Sequence, residues 1–144
     1  MAQLENIINY GILGLLILMS IASVTFATER FIIYRKIKID GFNNKKELEL
    51  ELTKRLHLIA IIGSNAPYIG LLGTVLGIML TFYAMGREGL MDTGKIMIGL
   101  ALALKATAVG LVVAIPSIIF YNLLLRRAKI ILTRWEISYG RKRI

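Results

Sequence analysis

Three long apolar runs decide what this chain can become: Ile7 to Thr28, about Ile59 to Met85, and Ile96 to Leu125. Each reaches the ~20 residues that a helix needs to cross the hydrocarbon of a bilayer. A single charged residue, Lys105, falls among them. In lipid, every backbone N–H and C=O must find its partner within the spanning element, which leaves helices or closed barrels. Strand-like alternation is confined to "ELELEL" at 47–52. The sequence therefore predicts an all-α integral membrane protein with three transmembrane helices. The second and third runs are ~40 Å or more by helical rise, so they tilt or continue past the bilayer.

The formal charge of +9 does not point to nucleic acid, because of where the charges lie. Eight of the 18 basic residues lie from Arg30 to Arg55 and seven from Arg126 to Arg143. The N-terminal "MAQLEN" has none, and Arg87 and Lys95 between the second and third runs are balanced by Glu88 and Asp92. This asymmetry predicts the N-terminus outside, a basic loop inside (about 29–58), a short exterior turn (86–95) and a basic tail inside (126–144). The basic residues set topology and meet anionic headgroups. The first run lacks a basic n-region and is too long for a signal-peptide core, so it is expected to stay attached.

Without cysteine and with one histidine, His57, the chain offers no metal site, and no cofactor is expected. The glycines of "GLLGTVLG" lie within an apolar span rather than after a strand, so they do not form a nucleotide loop. No nucleophile–base set is visible, and an enzyme is not expected.

The exterior turn "GREGLMDTG" (86–94) makes the last two spans a helical hairpin. Thr74 is 11 residues from Met85, and Thr107 is 11 from Ile96. Both hydroxyls should then lie ~16 Å deep, near the bilayer midplane. Thr74, Gly77 and Thr81 share one face of the second span, with Gly70 and Gly73 close to it. On the third, Thr107, Gly110, Ala114 and Ser117 follow at three- and four-residue steps. Such stripes serve either as packing seams or as the lining of a narrow polar path in an oligomer, and the spacing leaves both readings open.

Past the membrane, Leu48, Leu52, Leu56 and Ile59 are spaced for one helix face, and Glu51 stands four residues before Arg55. The spacing predicts an amphipathic helix that extends the second span inward. "RRAKIILTRWEISYGRKRI" is expected to extend the third, the alternative being a frayed basic tail.

"APYIGLLGTVLGIMLTF" (66–82) and "ALKATAVGLVVAIPSIIFYN" (103–122) closely resemble the two signature helices of the ExbB/TolQ/MotA family, and within it the ExbB branch. The resemblance covers residues 60–125 in detail and the whole chain in topology. It implies a pentameric ring in the bacterial inner membrane around the transmembrane helices of a dimeric ExbD-like partner, each bearing one aspartate. It implies a proton channel that uses the proton motive force to drive a TonB-like protein and so outer-membrane import. A TolQ-like envelope motor and a non-conducting scaffold are the alternatives. Thr74 and Thr107 stand where the family places its pore-facing threonines. Family members often have a glutamate five residues before the second threonine, where this chain has Leu102. Between Ala60 and Arg87, and between Lys95 and Trp135, there is no acidic residue, so a titrating carboxylate must come from a partner.

Lys105 is two residues from Thr107, ~200° around the helix, and so lies off the threonine stripe. A lysine at that depth costs several kcal/mol unless it pairs or meets water. A partner carboxylate, an anionic phospholipid headgroup or a carbonyl would relieve it. Asn122 and Tyr121, near the inner interface, are read as anchors or as intersubunit hydrogen-bonding groups, and Trp135 and His57 as residues of the cytoplasmic helices without chemistry.

Overall fold

A computed structural model describes residues 2–89 and 92–143. The middle of the expected turn, at 90 and 91, lies outside the described residues. Four helices follow one another: α1 (Ala2–Lys36), α2 (Lys45–Thr53), α3 (Leu56–Glu88) and α4 (Thr93–Lys142), with a 3-10 turn at Ile39–Gly41 before α2. No strand occurs among the described residues. α1, α3 and α4 are long and apolar enough to cross a membrane. α3 and α4 form the antiparallel hairpin, and α1 lies beside both, parallel to α4 and antiparallel to α3.

Local chemistry fixes the ends. Gly89 takes a positive φ of 63° and closes α3, its N–H donating to the Met85 carbonyl at 3.3 Å. Asp92 caps α4 by accepting from the Gly94 N–H at 2.9 Å. The helices therefore enter the turn further than the sequence suggested, α3 reaching Glu88 and α4 starting at Thr93. Pro67 and Pro116 lie inside α3 and α4 without ending either helix.

At 50 residues, α4 is ~75 Å long, more than twice the thickness of the hydrocarbon. Its last third meets α2 and the end of α1 in a separate apolar core. Leu48, Leu52, Leu56 and Ile59, the stripe expected from their spacing, are all buried there with Leu124, Ala128 and Trp135. The Trp135 indole N–H donates to the Phe42 carbonyl at 3.0 Å, and its ring stacks on Tyr139. That lashes the 39–43 segment across α4.

The stripe is continuous, but the helix beneath it is not. α2 stops at Thr53, and α3 restarts after Arg55, a non-glycine residue at φ 64°. The break frees the carbonyls of Glu51 and Leu52. Arg30, almost completely buried, donates to the first at 3.1 Å, and the Tyr34 hydroxyl donates to the second. The expected Glu51–Arg55 pair is absent, since Arg55 instead reaches Glu29 at 2.6 Å. Glu29 also meets Arg30, so one carboxylate joins two guanidiniums where α1 and the α2–α3 break come together.

Candidate functional site

Small residues determine how closely α3 and α4 approach. Gly63, Ala66, Gly70, Gly73 and Gly77 follow on α3 at alternating steps of three and four, facing Gly99, Ala103, Ala106, Gly110 and Ser117 on α4. At Gly70 and Gly110 it is backbone that meets backbone. A Cβ at Gly70 would stand 2.7 Å from the Ala106 carbonyl oxygen, and one at Gly110 would stand 2.8 Å from that of Ala66. Both obstacles are backbone, which cannot swing aside. Within a bilayer, where lipid tails are as apolar as the side chains, this close van der Waals fit replaces the hydrophobic effect as the force holding the helices together.

One turn from that crossing, the two threonines meet. Thr74 Oγ1 and Thr107 Oγ1 are 2.5 Å apart. Thr74 Oγ1 is also 3.0 Å from the Ala103 carbonyl of α4, and Thr107 Oγ1 is 3.4 Å from the Gly70 carbonyl of α3. Each hydroxyl thus reaches the carbonyl that lies four residues before the other threonine. Equal depth from the turn, predicted by counting, brings the hydroxyls into contact. They differ in burial: Thr74 is 7% exposed, whereas Thr107 is only half-buried.

The remaining stripe residues sort by contact. Gly77 packs on Ala103, and Thr81 returns its hydrogen bond to the Gly77 carbonyl at 2.9 Å while pressing on Gly99. Gly110, Ala114 and Ser117 are buried within the subunit. Ser117 Oγ is 2.7 Å from Ser23 Oγ of α1, a second interhelical hydroxyl pair. Ser23, Gly63, Ala66 and Ala106 escaped the sequence reading. For the last three, the alternating three–four spacing carried a signal, whereas Ser23 stands out only once α1 is docked.

Lys105 is exposed, away from the threonines. It lines a cavity of about 170 Å³ between α1 and α4 with Asn6, Asn9 and Tyr10. Beyond the membrane, Lys45 on α2 bonds Glu136 on α4, and that neighbouring carboxylate holds the lysine above its ordinary range.

The pair of threonines can donate and accept hydrogen bonds but cannot hold a proton at physiological pH. Three spanning helices, a hairpin seamed with glycine and alanine, and a hydroxyl pair halfway along it define a multi-pass membrane protein whose polar centre is built for contact rather than for covalent chemistry. Residues 29–137 match the MotA/TolQ/ExbB proton channel family, and the chain belongs to that family. It is similar to the biopolymer transport protein ExbB of Aquifex aeolicus, 53% identical over 140 residues that cover 97% of this chain and 95% of the relative. The ExbB of Helicobacter pylori J99 is 47% identical over 137 residues, 95% of this chain and 94% of that protein. The Tol-Pal system protein TolQ of Pseudomonas aeruginosa is 39% identical over 87 residues, 60% of this chain and 38% of its own length. The chain is accordingly a multi-pass protein of the bacterial inner membrane.

Proposed function

We propose that this chain is the channel-forming subunit of a proton-driven motor that energises TonB-dependent import across the outer membrane. The observation that carries the reading is the Thr74–Thr107 contact: a hydroxyl pair midway along two spans that contain no acid, with Thr107 only half-buried. A carboxylate supplied by an ExbD-like single-span partner would find hydrogen bonds there when ionised and an apolar wall when protonated. Proton entry and release would then move the partner helix against the ring.

The exposed apolar residues of the hairpin support assembly of several copies. Leu72, Met79, Leu104, Val112 and Ile115 are each about half or more exposed and need lipid or a neighbouring subunit as cover. A pentamer around two partner helices, with the N-terminus outside and the α2–α4 core in the cytoplasm, is the arrangement we infer from the family and the charge pattern. Near-complete alignment with the ExbB proteins of Aquifex aeolicus and Helicobacter pylori, at 53% and 47% identity against 39% over 60% of the chain for TolQ, supports the import system over the envelope motor.

The test is proton flux into liposomes holding this chain alone or with an aspartate-bearing single-span partner. Flux that requires the partner and falls in Thr107→Val supports the motor. A second reading has its own observation: both hydroxyls already bond within the subunit, as a packing clasp would. Absence of flux even with the partner present, from a chain that still assembles, would favour this scaffold.

A further inference from the structure

We propose that the groove between α1 and α4 around Lys105 binds the phosphate of an anionic phospholipid, in the leaflet nearer the hairpin turn. The proposal does not depend on the motor reading. A lysine within an apolar span needs a counter-charge or water. Among the described residues Lys105 has no ion-pair partner. The groove that it lines holds no acid, because Glu5 and Asp92 line a separate cavity nearer the turn with Lys95.

Levels along the helices bring the polar groups together. Ile12 and Ala106 both crowd Gly73, which places these three at one depth. By helical rise, Asn9 then lies ~5 Å and Asn6 ~9 Å nearer the turn. Lys105 starts about one residue from the Ala106 level. Helical side chains lean toward their own N-terminus, which for α4 is the turn, and a lysine stem reaches ~6 Å. Its ammonium therefore rises to the level of the two asparagines, with the Tyr10 phenol beside them.

The result is one cation, two carboxamides and a phenol around a cavity of about 170 Å³. Four donor groups match a phosphodiester, with its several oxygens, better than a carboxylate with two. Around the groove the surface is apolar and bare: Ile7, Ile98 and Leu104 are each more than half exposed, and acyl chains would lie along them. The groove opens to the side of α1 and α4 rather than to the threonine pair, so an occupant need not compete with a partner there.

The experiment is native mass spectrometry of the full chain, released from bilayers of equal parts phosphatidylglycerol and phosphatidylcholine. The wild type should retain phosphatidylglycerol in preference. Lys105→Met should lower that preference several-fold, Asn9→Leu should lower it less, and Lys105→Arg should keep it. Oligomer mass in the same spectra reads assembly, and Lys105→Arg keeps the test open if the methionine variant fails to fold. Equal preference in wild type and Lys105→Met would overturn the proposal. So would carbodiimide cross-linking of Lys105 to an aspartate-bearing partner in place of retained lipid.

Discussion

Thr74 donates across the hairpin to the carbonyl of Ala103 at 3.0 Å and is buried, whereas its neighbour Thr107 is only half-buried. The two threonines are therefore unequal. Thr107→Val removes the hydroxyl of the less buried residue while Thr74 keeps its acceptor. Thr74→Val removes a buried hydroxyl and also leaves Thr107 without its nearest partner. Interhelical hydrogen bonds of this kind contribute about 0.6 kcal/mol within a membrane. Both variants should fold and assemble, with Thr74→Val the less heat-stable in detergent. Partner-dependent flux should fall in both. Wild-type flux in Thr107→Val would remove that hydroxyl from the pathway.

Gly70 and Gly110 set the helix spacing that brings those hydroxyls together. A methyl at either site meets backbone at 2.7 or 2.8 Å, so the hairpin must open rather than repack. Overpacking of this sort costs about 1–3 kcal/mol. Gly70→Ala and Gly110→Ala should each lower the thermal midpoint in detergent. Gly86→Ala should not, since nothing lies within 4 Å of its added methyl. Equal midpoints in all three would mean that the helices are held mainly elsewhere.

Arg30 is the least expected side chain of the fold. It sits buried at the inner end of α1 and binds the carbonyl that the α2–α3 break exposes. Hydrogen bonds from a charged donor contribute about 1.5–3 kcal/mol, and Arg30→Met would leave the Glu51 carbonyl unpaired. The break contains Lys54 and Arg55, both sites for trypsin. Arg30→Met should speed cleavage there, whereas Arg126→Met, at a more exposed position, should not. Unchanged cleavage would show that the buried core alone holds the break closed.

How much of this could be read beforehand followed from the range of the forces involved. The spans follow from hydropathy, and the meeting of Thr74 with Thr107 follows from counting outward from one turn. The apolar stripe from Leu48 to Ile59 was legible because burial repeats along a helix. The break at Arg55 was not, because its cause lies on another helix: Glu29, Arg30 and Tyr34 compete for groups that an unbroken helix would have satisfied itself. The Glu51–Arg55 expectation failed for the same reason. Trp135 carried no periodic signal, and its role as a lash on the 39–43 segment needed the fold. At the site, spacing alone left seam and path open. Docking the helices buried Gly77, Gly110, Ala114 and Ser117 within the subunit and left Thr107 only half-buried.

The tie between Lys45 and Glu136 gives a dependence on pH whose direction is fixed. The hydrogen bond that Lys45 donates to Glu136, and then the carboxylate's charge, hold the lysine above its ordinary 10.5. A group whose folded value is raised contributes stability that is complete below the unfolded value and is lost as pH rises through the folded one. Attachment of α2 to α4 should thus be insensitive to this lysine near neutrality and weaken only above about pH 10.5. Both side chains are about half exposed, so the loss should be small and screened by salt. Trp135, the single tryptophan, stands next to Glu136 and reports on this contact by its fluorescence. Its emission in the wild type should shift slightly toward longer wavelength above that pH, and less so at high salt. Lys45→Met should lose the alkaline step while keeping the same emission at neutral pH. A step of equal size in Lys45→Met would assign the change to another group.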